Sequence, residues 1–301
     1  MYLVSIITPS FNQGPYIEET IRSVLSQDYP RIEYRVVDGG STDNTLQILE
    51  RYKDRLTFVS AKDRGQTDAL AAGFRSAAGD IFYWLNSDDT LLPGAVSRVM
   101  EMFNARPETG LVYGQSHFVD SAGRIIGRYP AEPFDHKRLA MFDFIPQPSA
   151  FFQRRAFEAV NGLDQRLIYG MDYDLWIRLT ARFSACFLPQ YLSTYRLHPS
   201  SKTVDMGQAL ANSREIMEIA HRHYGWAPAN RVYGYCSLWL GNRFKPFSRL
   251  PKMFSIPVTA VIAAIQYLRM NKTIHAADLR QINREYIRKM GVGWNELYRT
   301  Y

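Results

Sequence analysis

The chain has 301 residues, 46% apolar and 22% charged, a usage that excludes wholesale disorder and fits one large α/β domain or a domain with an appendage. Its net charge of +7 is unevenly spread: residues 1–204 hold 22 Lys+Arg against 23 Asp+Glu, and residues 205–301 hold 14 against 6. A net −1 followed by a net +8 excludes a uniformly basic surface built for polyanions. Val4–Thr8 is a buried-strand pattern, Pro9–Gly14 is turn chemistry, and Ile17, Ile21, Val24 and Leu25 form a helical stripe within Tyr16–Gln27. A second strand, Tyr34–Val37, ends at Asp38-Gly39-Gly40, and Ser41-Thr42-Asp43 opens a helix to about Tyr52. Strand Leu56–Ser60, helix Gly65–Ala78 and strand Ile81–Leu85 follow, the last ending at Asn86-Ser87-Asp88-Asp89. Pro93 fits the first turn of a helix running to about Asn104.

This alternation implies βαβ units in a mostly parallel sheet, with ligands at the carboxyl ends of the strands. Asn12, Asp38 and the Asp88-Asp89 pair are therefore expected on one edge. Beyond residue 110 the pattern changes to short strands at Leu111–Tyr113, His117–Val119 and Ile125–Tyr129, with a hairpin turn at Ser121–Gly123. A helix over Phe134–Phe142, a strand at Ser149–Phe152, a helix at Leu175–Ala181 and two strands at Ala185–Leu188 and Ser193–Leu197 complete the region. The tail reads as helical, with one stripe at Leu210, Met217 and Ala220 and another at Val258, Val261, Ile262, Ile265 and Leu268. Arg249, Lys252, Arg269 and Lys272 flank the second stripe. Cys186 and Cys236 are too few for a disulfide framework and read as buried thiols of a reducing compartment. The opening residues run straight into a strand with no basic region, so no secretory leader is expected. The apolar stretch Ile256–Leu268 is shorter than the roughly 20 residues a bilayer needs.

Adjacent carboxylates repel each other, and a divalent cation relieves that repulsion, so Asp88-Asp89 at a strand end points to magnesium or manganese held with ligand phosphate oxygens. The alternative is an acidic turn that caps the following helix. Asp38, followed by glycines that admit a close ligand, is placed to accept hydrogen bonds from a base or ribose. Neither a phosphate-cradling P-loop nor a dinucleotide fingerprint is present, and Ser41 or Asp43 is a candidate N-cap.

Three segments in order, Val4-Ser5-Ile6-Ile7-Thr8-Pro9-Ser10-Phe11-Asn12, Val37-Asp38-Gly39-Gly40-Ser41-Thr42-Asp43-Asn44-Thr45 and Leu85-Asn86-Ser87-Asp88-Asp89, resemble the family 2 glycosyltransferases. The resemblance covers about residues 3–200 and implies an inverting enzyme of the GT-A fold that uses a nucleotide-sugar donor. That fold is α/β, a mostly parallel central sheet flanked by helices, here with a basic helical C-terminal extension. The expected division is a catalytic domain at 1–204, with a nucleotide-sugar half to about 110 and an acceptor half from 111, and the extension at 205–301. By the same resemblance Thr8 and Phe11 line the nucleotide pocket and Asp38 accepts from the base. Asp63 lies near base and ribose with Asp68 beside it. Asp88 is the middle of an Asp-x-Asp-like element, and Asp89 is the ligand of Mn²⁺ or Mg²⁺. Asn86 stands where some members carry Asp, which leaves fewer charges for the metal. Asp172, in Met171-Asp172-Tyr173-Asp174, takes the place of the catalytic base, with Asp174 as competitor and Met171 where the family has Glu. His198, in Tyr195-Arg196-Leu197-His198, approaches the metal or diphosphate, and a nearby Arg or Lys contacts phosphate. Gln147-Pro148-Ser149 borders the acceptor side.

The implied reaction moves a hexose or N-acetylhexosamine from a UDP-sugar to a glycan or lipid-linked acceptor in cell-surface polysaccharide synthesis, on the cytoplasmic side. A sugar-nucleotide pyrophosphorylase would need a basic loop after strand one, and Pro9–Gly14 has no basic residue. A non-catalytic nucleotide-sugar binding module is kept open by Met171 and Asn86. The segment 249–272 either packs on the catalytic domain or contacts an anionic membrane surface peripherally. No nucleic-acid partner is expected, since no basic aromatic groove or nucleic-acid motif is present.

Overall fold

The computed structural model describes residues 1–205, 207–244, 247 and 250–281. Arg249, named above as a flank of the apolar stripe, and residues 282–301 of the extension lie outside the described residues. The chain divides into two compact units, Met1–Phe134 with Phe144–Leu197, and Asp135–Asp143 with His198–Tyr301.

The first unit is built on a sheet of nine strands in the order β3-β2-β1-β4-β8-β6-β9-β5, with β7 paired to β6. The strands are β1 (Val4–Ser10), β2 (Ile32–Asp38), β3 (Thr57–Ser60), β4 (Ile81–Trp84), β5 (Thr90–Leu91), β6 (Leu111–Val119), β7 (Ile125–Arg128), β8 (Ala150–Gln153) and β9 (Ala185–Arg196). β1 to β4 are mutually parallel, β8 runs against β4, and β6 and β9 return to the direction of β1. The carboxyl ends of β1, β2, β3, β4, β6 and β9 therefore share one edge, as the spacing required. β1 is buried along its whole length, which its Val-Ser-Ile-Ile-Thr composition permits because helices cover both faces. On one face α1 (Ile17–Leu25), α2 (Thr45–Arg51) and α4 (Ala95–Ala105) pack Ile21, Val24, Ile48, Leu49, Val96, Val99 and Phe103 onto Val4, Ile6, Tyr34 and Tyr83. On the other face α3 (Gln66–Ser76) approaches so closely that a Cβ on Gly73 would overlap the Ile7 side chain.

Three boundaries differ from the sequence reading. α7 runs Met171–Thr180, so it starts four residues earlier than Leu175 and carries Asp172 and Asp174 in its first turn, where helix-dipole electrostatics favour acids. α2 starts at Thr45 rather than near Ser41, because the hydroxyl of Ser41 is taken by Asp38 and Asn12. β9 is one strand instead of two. Pro189 and Gln190 break the alternation, and the ladder shifts register there opposite Gly114, where a Cβ would lie 2.5 Å from Leu192 Cδ1 and 2.8 Å from the Gln190 carbonyl. Gly114 is what lets the bulge close. Cys186 and Cys236 are free and buried.

The second unit contains α5 (His136–Met141), α8 (Ala209–Tyr224), α9 (Ala229–Arg243), α10 (Lys252–Asn271) and α11 (Ala276–Gln281). Its cores are small, one around Met217, Ala227, Val232, Cys236, Ala263 and Tyr267, the other around Ala140, Met141 and Trp226. α10 buries Thr259, Ala263, Tyr267 and Asn271, the weakly polar side. The apolar stripe faces outward: Val258, Val261, Ile265 and Leu268 are 44%, 62%, 51% and 51% exposed. Small Thr259 and Ala263 let the helix approach its neighbour, and Asn271 anchors its end by donating to and accepting from the backbone of Ala227.

Candidate active site

Loops after the first three parallel strands are latched to one another. Asp38, buried at the end of β2, accepts from the backbone N–H of Gly40 at 3.1 Å and Ser41 at 2.9 Å, and from the hydroxyls of Ser41 and Ser60 at 2.5 and 2.6 Å. Its carboxylate is thus the organiser of the turn as well as a candidate ligand group. Asn12, held at φ 52°, accepts from the Thr42 N–H at 2.8 Å and receives the Ser41 hydroxyl as acceptor for its own N–H at 2.7 Å. Asp43 accepts from the N–H groups of Gly14 and Thr45, so it joins the two loops rather than capping α2 in the usual way. Of the residues expected at a nucleotide pocket, Phe11 is exposed at this edge. Thr8 is fully enclosed, its hydroxyl 3.3 Å from the Tyr34 phenol. Ser10, beside Asp38 in the β1–β2 register, has a buried hydroxyl with no hydrogen-bond partner among the described residues. Asp63 accepts from the Gly65 N–H and stands against Gly39, whose missing Cβ would lie 2.9 Å from its Oδ2. Asp68 is paired with Arg64 across one turn at 2.9 Å, and that guanidinium holds its carboxyl below the usual range.

The second cluster gathers at the end of β4. Asp89 is 2% exposed. Its Oδ1 accepts from the Arg196 N–H at 2.8 Å, and its Oδ2 has one partner among the described residues, the Asn86 amide at 3.4 Å. Burial, and then the charge of Asp88, push the Asp89 carboxyl well above the ordinary range, against the opposing pull of the Arg196 N–H. An adjacent pair of carboxylates, one buried with an under-satisfied oxygen, fits a divalent cation. Such ions take one or two protein carboxylates and complete their shell with phosphate oxygens and water. Among the described residues no group of three or more His, Cys, Asp or Glu gathers around it, so Asp88 and Asp89 are the candidate protein ligands. His198 is buried and opens the second unit, where its carbonyl accepts from the Ser201 N–H and hydroxyl.

Arg196, which the sequence reading gave no role of its own, is tied into the protein. It is 2% exposed, and its guanidinium donates to the carbonyls of Asp88, Asp120 and Ser121 at 2.8, 3.2 and 3.3 Å and to Glu19 at 2.5 Å. Its face covers the Tyr16 ring at 5.2 Å. It clasps the Asp88-Asp89 loop to α1 and to the β6–β7 turn. The one sequence signal for this was an arginine at the end of a strand otherwise headed for the core.

α7 brings the candidate bases. Asp174 is buried and bound by Arg178, Nε at 2.7 Å and Nη2 at 2.6 Å, while Arg178 also donates to the carbonyls of Val160 and Gly162. Asp172 is half-buried in the same first turn, and its Oδ1 accepts from the Tyr173 N–H at 2.8 Å. Met171, where the resembling family has Glu, is buried with its sulfur 3.0 Å from the Thr67 hydroxyl, which ties the start of α7 to the start of α3. The loop before α3 and the first residue of that helix link both clusters, with Asp63 on the Asp38 side and Gln66 on the Asp89 side.

Glycosyl transferase family 2 matches residues 5–160, just over half of the chain. The chain belongs to this family. Similar proteins include an uncharacterized glycosyltransferase of Rickettsia prowazekii, 29% identical over 217 residues, 67% of this chain and 66% of that protein. A chondroitin synthase of Escherichia coli is 29% identical over 181 residues, 59% of this chain and 26% of that enzyme. The chain thus spans just under two thirds of the first relative and about a quarter of the second. Among solved structures, residues 1–349 of S. aureus TarS with UDP-GlcNAc superpose with a TM-score of 0.63 at 17% identity, covering 99% of this chain and 90% of that one. A mannosyltransferase of Pyrobaculum calidifontis with GDP-Man and Mn²⁺ gives 0.59 at 19%, covering 96% and 83%. At these identities the likeness carries the fold. This glycosyltransferase has the GT-A architecture, with helices following the catalytic sheet.

Proposed function

We propose that this glycosyltransferase is metal-dependent and inverting, and that it moves a hexose or N-acetylhexosamine from a UDP-sugar to a glycan or lipid-linked acceptor in cell-surface polysaccharide synthesis. The observation that carries the reading is the buried Asp89 carboxylate beside Asp88, with one oxygen under-satisfied, at the sheet edge that also holds Asp38. The two solved neighbours hold nucleotide-sugars, and one of them holds Mn²⁺, which supports a donor of that class and a divalent ion. Thr8 and Phe11 belong to the nucleotide side, Asp38 to the base, Asp63 and Asp68 to base and ribose, and His198 to the metal or diphosphate. Asp88 and Asp89 would hold a divalent cation, which would supply charge neutralisation for the departing diphosphate. Asp172 accepts the acceptor hydroxyl's proton as that oxygen bonds to the anomeric carbon. The bond from this carbon to the diphosphate breaks, and configuration inverts. The pairing of Asp174 with Arg178 supports Asp172 over Asp174 for this role. Transfer by the wild-type chain, supplied with Mn²⁺ or Mg²⁺, and its loss in Asp172→Asn and Asp89→Ala test the mechanism; wild-type turnover in both variants overturns it.

The second unit is read as a peripheral contact with the anionic inner face of the membrane. From residue 219 to residue 277 the sequence has eight Lys+Arg and no Asp or Glu, and α10 turns Met253, Phe254, Val261 and Ile265 outward at 72%, 55%, 62% and 51% exposure. Burial of those side chains in the headgroup region, with cations at Lys252, Arg269 and Lys272, is the interfacial pattern. A symmetric pairing of two copies through this face would bring like charges together. Cosedimentation with phosphatidylcholine vesicles containing a quarter phosphatidylglycerol is expected, and is lost in Val261→Asp/Ile265→Asp. Equal binding to pure phosphatidylcholine, or none with either, sinks the reading.

A further inference from the structure

Asn86 is the residue that leaves the Asp-x-Asp-like element one carboxylate short. Its amide is saturated. Oδ1 accepts from the Trp84 indole N–H at 2.7 Å and from Gln66 Nε2 at 2.7 Å, while Nδ2 donates to Gln147 Oε1 at 3.0 Å and to Asp89 Oδ2 at 3.4 Å. The orientation follows from donor and acceptor chemistry. An indole N–H only donates, so the oxygen of Asn86 must meet it. Gln147 is set from the other end, because its Nε2 donates to the Trp84 carbonyl at 2.6 Å and a carbonyl only accepts. One residue, Trp84, therefore dictates the polarity of the network through both its side chain and its backbone. Asn86 Nδ2 is left pointing at Asp89. A carboxylate at position 86 would turn a second oxygen toward two acceptors, Gln147 Oε1 and Asp89 Oδ2.

We propose that Asn86 is a positioning residue for Asp89, and that this site requires an amide there instead of a third carboxylate. The amide engages Asp89 Oδ2 by a single long hydrogen bond, which orients that oxygen without saturating it, and a cation takes the remaining lone-pair space. The network also reaches Gln66 at the start of α3 and Gln147 just before β8, so the carboxylate is braced from both sides of β4. This inference rests on the reading in which Asp89 holds the cation.

The test is a titration of the full chain with Mn²⁺, followed by electron paramagnetic resonance of the free ion, alongside melting temperatures, on wild type, Asn86→Asp, Asn86→Ala and Trp84→Phe. The expected result is a loss of Mn²⁺ affinity of tenfold or more in both Asn86 variants, Asp no better than Ala. Trp84→Phe alters neither charge nor ligand and removes the indole donor while keeping the backbone carbonyl that sets Gln147; it shows a smaller loss in the same direction, with the melting temperature reporting the cost of the smaller buried ring. Tighter or unchanged Mn²⁺ binding by Asn86→Asp makes position 86 a ligand or a bystander and overturns the proposal. A lowered melting temperature with wild-type affinity makes it merely structural and overturns the proposal as well. A wild-type chain that takes no Mn²⁺ overturns the metal reading together with this one, and so is told apart from failure in the variants alone.

Discussion

Asp172 and Asp174 lie one residue apart on the first turn of α7, and their surroundings separate them. Asp174 is enclosed with Arg178, so Asp174→Asn strands a guanidinium in a mostly buried site. Breaking such a pair costs about 3 kcal/mol, and the melting temperature is expected to fall by about 5–10 °C, measurable by calorimetry with the donor absent. Asp172→Asn is expected to fold like wild type and to lower kcat by about 10²–10⁴-fold, with donor binding retained. If the two phenotypes were exchanged, the assignment of the base would be wrong. The sequence placed both carboxylates at a helix start, and it singled out Asp172 only by resemblance. What sets Asp174 apart is a salt bridge to Arg178, four positions on, a spacing legible on any helix. The same guanidinium is also held by the carbonyls of residues 160 and 162, and those more distant partners have no signature in local spacing. Asp38 illustrates the same limit. Its place at the end of β2 was legible, but the hydrogen bond it accepts from Ser60 comes from the end of β3, brought alongside by strand pairing.

Elements meet closely at Gly73. An alanine in a helix interior normally gains about 1 kcal/mol over glycine. Here the added methyl would overlap Ile7, and overpacking of a tight core costs about 1–3 kcal/mol, so Gly73→Ala is expected to be net destabilising by chemical denaturation. At the far end of the same helix Glu33 joins β2 to β1 and to the turn after α3. It accepts from the Ser5 hydroxyl at 2.5 Å, the Ala78 N–H at 2.9 Å and Arg35. Burial alone would raise its carboxyl, but these donors more than offset that and hold it below the usual range. A depressed folded-state pKa stabilises above the unfolded-state pKa of about 4.3, and that stability is lost as pH falls through the folded value. The stability gap between wild type and Glu33→Gln is therefore expected to be full at pH 7 and to close below pH about 4, in urea titrations across that range. Most strand and helix positions were legible from periodicity, because apolar spacing reports which side of an element is buried. β9 was misread as two strands because Pro189 breaks the alternation, and the bulge opposite Gly114 that carries the strand onward is a pairing event. The α10 stripe was legible as a stripe. Its outward direction was not, since spacing identifies a face and does not say what covers it.

At the scale of the molecule, the chain divides into two units with separate cores, and its charge divides near the same point of the sequence, net −1 over residues 1–204 and net +8 over 205–301. The first core is large and continuous across the parallel strands, whereas among the described residues those of the second are groups of six and three buried residues. Calorimetry is expected to resolve two transitions, and a nucleotide-sugar with Mn²⁺ should raise only the one belonging to the first unit, because a ligand stabilises the unit that binds it. A single transition that shifts as a whole would contradict this. Charge, by contrast, is a sum over residues, and its division into −1 and +8 needed no coordinates. The sequence by itself determined the parallel α/β plan, the edge on which Asp38 and Asp88-Asp89 fall, and membership of a glycosyltransferase family, because each depends on periodicity or on short ordered motifs. Only the tertiary structure decided that Arg196 clasps a loop and that Asn86 is a saturated amide aimed at Asp89. Those roles depend on which donor meets which acceptor across distant segments, and hydrogen-bond partnership exists only once the chain has closed.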